Sequence, residues 1–232
     1  MYWSISGLAG VDCVVFAALN RVGYAVIMVQ LMLPETDAHL HLVYPDKPKM
    51  TPDEFYEFCQ ANPDLWLELS SDGEIIVRRP AGTAASFRSG EVARRLANWA
   101  EEHGGGGATD ASGGFALPDG SVRAPDAAWI ESKRLAVLDR TFRDRYVPLA
   151  PDFVIEVMSP SDRLPEAQAK MRNWMANGAR LGWLIQPDAR TVFVYRNAGD
   201  EPETLRDAMS VVGEGPVAGF VLPLERVWQS LY

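Results

Sequence analysis

The run Phe153-Val154-Ile155-Glu156-Val157-Met158 constrains this chain more than any other segment. Its apolar, β-branched composition is that of a strand covered on both faces, as in the middle of an α/β sheet. Such a strand has no polar face, so the pattern that defines the strand also buries Glu156. A buried carboxylate without a partner is costly, and something must compensate it. Two solutions are open: a metal ion shared with a second carboxylate, or a lysine or arginine in a structural ion pair. Asp126 is the candidate second carboxylate, because Val122 to Ile130 reads as a strand that can lie beside the first.

The elements around this strand follow from local signals. Thr51-Pro52-Asp53-Glu54 has the form of an N-cap, Pro at N1 and Glu at N3, and opens a short helix that ends by Pro63. Trp66 to Leu69 and Glu74 to Val77 flank Asp72-Gly73 and predict a β-hairpin. Ser89 to Glu102 carries Val92, Leu96, Trp99 and Ala100 at helical spacing and should stop at Gly104 to Gly107. A second hairpin is predicted from Gly114 to Ile130 around Pro118-Asp119-Gly120, followed by a polar stretch from Glu131 to Tyr146. Beyond the central strand, Ser161 and Asp162 can cap a helix from Leu164 to Asn177, and Leu181 to Ile185 with Thr191 to Tyr195 makes a last hairpin. The expected architecture is one α/β (α+β) domain, a mixed β-sheet flanked by helices, covering residues 50–232.

Residues 1–49 read as an N-terminal extension. Ile5 to Leu33 is largely apolar, yet Asp12, Asn20, Arg21 and Gln30 interrupt it and no basic segment precedes it, so neither a signal peptide nor a spanning helix of ~20 apolar residues is expected. Met28, Met32 and Met50 precede the first well-patterned element, which leaves a mis-assigned start and a genuine appendage both open. Cys13 and Cys59 form no CxxC pair and have no metal-ligand spacing with His39, His41 or His103, so no zinc site is signalled and a reducing cytoplasm is the expected compartment. The net charge of −9 argues against a module that binds nucleic acid by charge alone. It argues less against an enzyme with a carboxylate-rich metal site, where the ion reverses the local sign.

Several segments together resemble the PD-(D/E)xK nuclease superfamily, and within it the Uma-type branch of restriction-endonuclease-like proteins. They are Leu67-Glu68-Leu69 with Asp72-Gly73-Glu74, Ser121 to Trp129 including Pro125-Asp126, and Pro151 to Asp162 including Glu156. Gln168-Ala169-Lys170-Met171, Asn177-Gly178-Ala179 and Gly182 to Ile185 extend the likeness, which spans roughly Thr51 to Trp228. The resemblance implies a restriction-endonuclease-like fold and a Mg²⁺-dependent endonuclease acting on DNA phosphodiesters, with Mn²⁺ as a substitute. It implies that Asp126 and Glu156 hold the metal, with Glu68 as an accessory acidic ligand. Met158 stands where the lysine of the short motif would be, and Lys170 on the following helix matches the relocated lysine that orients or activates water. A homodimer is implied by superfamily analogy.

Each candidate has a plainer alternative. Lys170 could form only an exposed i, i+4 pair with Glu166, worth ~0.3 kcal/mol. Glu68 could be the outward residue of an alternating strand, and Gln168 an ordinary buried amide rather than a water or phosphate contact. Asp152 competes with Asp126, but four residues of strand separate it from Glu156 by ~13 Å, too far to share an ion. Ser159 and Asp162 read as helix caps. Arg78, Arg79, Arg88, Arg94, Arg95 and Arg123, interleaved with Phe87 and Trp99, form the available basic set for a phosphate backbone. Besides the DNA nuclease, a catalytically silent binding module of the same fold and a nuclease acting on RNA remain open.

Overall fold

The computed structural model describes residues 49–229 apart from 104, 140, 141 and 143, together with three backbone strands before residue 49. These are β1 (Cys13–Leu19), β2 (Ala25–Leu31) and β3 (Leu40–Leu42). Within the apolar N-terminal run, β1 and β2 pair antiparallel, and no helix among the described residues is long and apolar enough to cross a membrane. Met32 and His39 lie outside the described residues, as does most of the remainder of the predicted 1–49 extension; β3, inside that extension, pairs with a strand of the domain that follows.

Helix α1 (Pro52–Ala61) starts as its sequence requires. Thr51 Oγ1 accepts the Glu54 N–H at 3.2 Å and Glu54 Oε2 accepts the Thr51 N–H at 2.8 Å, a reciprocal capping box. Strands β4 (Trp66–Leu69) and β5 (Ile75–Arg78) form the predicted hairpin, pairing Trp66 with Arg78 and Glu68 with Ile76. Its turn needs Gly73 at φ +86°, a region that side chains disfavour. With β3, β7 (Phe115–Ala116) and β8 (Val122–Arg123) they build a sheet in the order β3-β5-β4-β8-β7.

A second, mixed sheet runs in the order β13-β12-β11-β10-β9-β6. Its strands are β6 (Gly106–Asp110), β9 (Ala127–Glu131), β10 (Phe153–Val157), β11 (Leu181–Gln186), β12 (Thr191–Tyr195) and β13 (Glu203–Arg206). β10 is central and buried along its whole length, parallel to β11 and antiparallel to β9. Its alternation divides the core. Phe153, Ile155 and Val157 pack toward α2 (Thr83–His103) and the C-terminal elements, with Val92, Leu96, Trp183 and Phe220. Val154 and Met158 face α4 (Leu164–Ala176), with Met171, Trp174 and Leu184. Glu156 lies on this second side, beneath α4.

Three expectations are corrected. α2 begins at Thr83 rather than Ser89, because buried Ala85 and Arg88 continue the stripe of Val92, Leu96 and Ala100 backward by two turns. The predicted strand from Val122 to Ile130 is broken at Ala124-Pro125-Asp126: Pro125 has no N–H for a ladder, and the chain passes there from one sheet to the other. The glycine run read as a helix stop is also the edge strand β6, where a Cβ at Gly106 would fall 2.3 Å from the Trp129 ring. The polar stretch after β9 holds the short helix α3 (Ser132–Ala136). The hairpin β14 (Ser210–Val212) with β15 (Val221–Pro223) and the short α5 (Glu225–Trp228) complete the core against α2.

Candidate active site

The break at Pro125 sets the site. Asp126 stands one residue before the β9–β10 register begins with Ala127 opposite Ile155, so Asp126 and Glu156 are the next opposed residues at the strand ends. Both line a cavity of about 360 Å³ that also receives Glu68, Arg78, Arg123 and Lys170. The two sheets meet there: β4, β5 and β8 contribute Glu68, Arg78 and Arg123, while the residue before β9 supplies Asp126 and β10 supplies Glu156. Lys170 descends from α4 between them. The structure therefore brings Asp126, Glu156, Lys170 and Glu68 to one place.

Lys170 Nζ donates to Glu68 Oε1 at 2.9 Å, to the Ala124 carbonyl at 2.8 Å and to Glu156 Oε2 at 3.1 Å. An ammonium has three donors, and all three are used. The plainer surface pairing with Glu166 is not formed; Glu166 sits 3.5 Å from Arg163 instead. One helical turn beyond Lys170, fully buried Trp174 donates its indole N–H to Glu156 Oε1 at 2.9 Å. Asp126 Oδ1 accepts from the Ser89 hydroxyl at 2.9 Å and Oδ2 from the Val157 N–H at 2.7 Å, so α2 and the end of β10 fix its orientation.

Glu68 has a different setting. Arg78 Nη1 reaches Oε1 at 2.6 Å and Arg123 Nη1 reaches Oε2 at 3.1 Å, so with Lys170 three cations surround one carboxylate. Burial pushes its pKa up, but Lys170, Arg78 and Arg123 more than reverse this and hold it well below the usual carboxylate range. Glu156 ends on the other side of its ordinary value. Burial raises it, Lys170 opposes that, and the like charges of Asp126 and Glu68 push it further up.

These carboxylates suit one kind of ion. Asp126 and Glu156 offer hard oxygen donors from opposed positions, and a divalent cation would offset the burial, and secondarily the like charges, that raise Glu156. Among the described residues no group of three His, Cys, Asp or Glu side chains is spaced to hold a metal, and both Glu68 oxygens are already engaged by cations. A two-carboxylate set completed by water and substrate oxygens fits Mg²⁺ or Mn²⁺ better than an ion that needs an all-protein cage.

The other candidates sit elsewhere. Asp152 is fully buried at the opposite end of β10, 2.9 Å from Arg134 and 3.5 Å from Arg180, and accepts the Glu131 N–H. Asp162 lines the cavity and accepts the Ser159 N–H at 2.6 Å, whereas the N-cap of α4 is Arg163 with no side-chain cap bond. Gln168 is half-buried and outside the cavity lining. The arginine set divides: Arg78 and Arg123 join the site, Arg88 is buried 3.7 Å from Asp188, and Arg94 and Arg95 pair with Glu91 on the α2 surface. Trp99 packs against Trp129 and Phe220 rather than facing solvent with the arginines. Sequence reasoning missed the roles of Trp174, Ser89 and the cations on Glu68. The i, i+4 spacing of Lys170 and Trp174 was a usable signal for the first; Ser89 was hidden by its resemblance to a helix start.

Residues 52–225 match the Uma2 family, described as "Putative restriction endonuclease". The crystal structure of a "putative nuclease belonging to DUF820" from Anabaena variabilis superimposes with a TM-score of 0.63 at 22% identity, covering 77% of this chain and 97% of that one. No curated protein matches the chain. At that identity the superposition establishes the restriction-endonuclease-like fold, and the family match covers most of the chain; the chain belongs to the Uma2 family of restriction-endonuclease-like nucleases.

Proposed function

We propose that this protein is a divalent-metal-dependent endonuclease that hydrolyses DNA phosphodiester bonds at the junction of its two sheets. The observation that carries this reading is the opposed pair Asp126 and Glu156 lining one cavity with Lys170, Arg78 and Arg123. Asp126 and Glu156 would hold Mg²⁺. When bound, the ion supplies positive charge against the phosphate oxygens and acidifies a water for attack.

The chain's own residues do the rest. Ser89 and the Val157 N–H keep Asp126 turned toward the cavity, and Trp174 keeps one oxygen of Glu156 in place. Arg78 and Arg123 are held at the cavity wall by Glu68, where their remaining donors can meet the charge that develops on the transferred phosphate. Lys170 has no spare donor, so it engages substrate by exchanging its bond to Glu156 for one to a phosphate oxygen or to the attacking water. Glu68 in this scheme acts as the counter-ion that positions the cations. A homodimer would set two such sites across a duplex.

Plasmid and single-strand cleavage in Mg²⁺, Mn²⁺ and EDTA tests the reading, with D126N and E156Q alongside. Metal-dependent cleavage lost in both variants supports it; cleavage that persists in either variant, or in EDTA, overturns it. Cleavage of RNA in place of DNA would keep the site and change the substrate. The saturated donors of Lys170 also favour a second reading, a silent module in which this network never opens. Wild-type protein would then show neither cleavage nor stabilisation by metal.

A further inference from the structure

We propose that Trp66 is a stacking platform for an unpaired base adjoining the phosphodiester that the site holds, an inference that rests on the nuclease reading above. The β4–β5 hairpin has two faces. Leu67 and Leu69 point into the small core with Phe55, Ile75 and Val122. Glu68 and Ser70 point the other way and line the cavity, together with Ile76 and Arg78 from β5. Alternation places Trp66 on this second face, and register places it directly opposite Arg78. At ~3.4 Å rise per residue its Cα lies ~7 Å along the strand from that of Glu68, a displacement of one or two nucleotides along a backbone.

Trp66 is 57% exposed, although a tryptophan this accessible leaves a large apolar ring in water. The exposed large apolar residues among those described include one other aromatic, Phe87, which lies on the solvent side of α2 with Gly90 and Arg94 and does not line the cavity. Trp66 is itself just outside the cavity lining, but among the described exposed aromatics it is the one that shares a strand face with lining residues and has a cation directly across from it. Aromatic rings of this kind accept any base by stacking, whereas a phosphate contact made by Arg78 or Arg123 would carry no information about the base. A base can reach such a ring only when it is out of its own stack. The preferred substrate is therefore single-stranded, flapped, bulged or splayed, in preference to continuous duplex.

Fluorescence anisotropy of a labelled single-stranded oligonucleotide and of an abasic deoxyribose-phosphate strand of equal length tests this, with Ca²⁺ in place of Mg²⁺ and again with EDTA. Wild type, W66F and W66A are compared. W66A should weaken binding of the base-bearing strand about 5- to 150-fold, W66F much less, and binding of the abasic strand should not change. Equal binding by W66A and wild type, or an equal loss on both strands, overturns the platform. If wild type cleaves in a metal-dependent way while W66A binds and cleaves as well, this inference alone fails. If wild type binds neither strand and cleaves nothing, the nuclease reading fails with it.

Discussion

The two sheets bring buried carboxylates to the same cavity and treat them in opposite ways. On the five-stranded sheet, Glu68 is enclosed by Arg78, Arg123 and Lys170, and its charge is fully answered by the protein. On the six-stranded sheet, Glu156 and Asp126 face each other, and Glu156 has a share of one lysine plus an indole N–H. Burial alone would raise both glutamates, yet one is driven down and the other stays raised. A carboxylate that its surroundings already stabilise as an anion serves the fold. In the function proposed above, one that its surroundings leave short of positive charge is where a cation from outside would bind.

The largest effect that would sharpen this contrast is on Glu68. E68Q leaves three cations around a neutral amide and should cost about 3 kcal/mol, the lower end of the range for breaking a buried pair, because the Arg78 side chain is 33% exposed. Urea unfolding measures it. The folded pKa of Glu68 is depressed, so its contribution is present above the unfolded value of 4.5 and is lost as the pH falls through the folded value. Wild-type and E68Q stabilities should therefore converge in acid; parallel curves down to low pH would break the contrast.

Next in size is catalysis at the other carboxylates. D126N and E156Q should each lower the cleavage rate by more than ~100-fold, or ~2.7 kcal/mol. D119A comes third. Asp119 ties the β7–β8 turn to α4 through Asn173 at 2.7 Å and Asn177 at 2.9 Å, and so holds the strand of Arg123 against the helix of Lys170. Its loss should cost about 1–2 kcal/mol and raise KM more than it lowers kcat, since the cations would be displaced without being removed. Steady-state kinetics with calorimetry would show it; an unchanged KM would mean that the tie is not needed for the site.

The smallest effect has the opposite sign to E68Q. The folded pKa of Glu156 is raised, so as the pH climbs above 4.5 the unfolded chain ionises before the folded one, and the wild type loses stability that E156Q keeps. In EDTA at pH 8, E156Q should be at least as stable as wild type. A clear loss of stability in E156Q would place Glu156 with Glu68 among the structural ion pairs.

Much of this architecture could be read in advance, and the unread parts share a cause. The β4–β5 hairpin, β10, α4 and the β11–β12 hairpin have strong periodicity or turn chemistry, and they appear within a residue or two of their predicted bounds. β6 was not seen because its glycines have no side-chain pattern; Gly106 is where Trp129 lies against the backbone. The crossing between sheets at Pro125 was not seen because Val122 to Ile130 has strand composition on both sides of it, and only tertiary pairing reveals two partners. Glu156 was legible as a chemical anomaly and Asp126 as its candidate partner, while Lys170 and Glu68 came from the family resemblance. The arginine partners of Glu68 were not legible, because an arginine ten or 55 residues away looks the same in sequence whether it faces solvent or a buried glutamate. Arg78 and Arg123 appeared as a basic surface, and the structure turns them inward onto Glu68.

The central claim is that Asp126 and Glu156 form a divalent-metal centre. Thermal unfolding of wild type and E156Q in Mg²⁺, Mn²⁺ and EDTA, paired with cleavage in the same buffers, tests it most directly. The account predicts that metal raises the wild-type melting temperature and permits cleavage, and that E156Q folds but loses both responses. A metal-dependent stabilisation of equal size in E156Q, or cleavage that needs no metal, would contradict it.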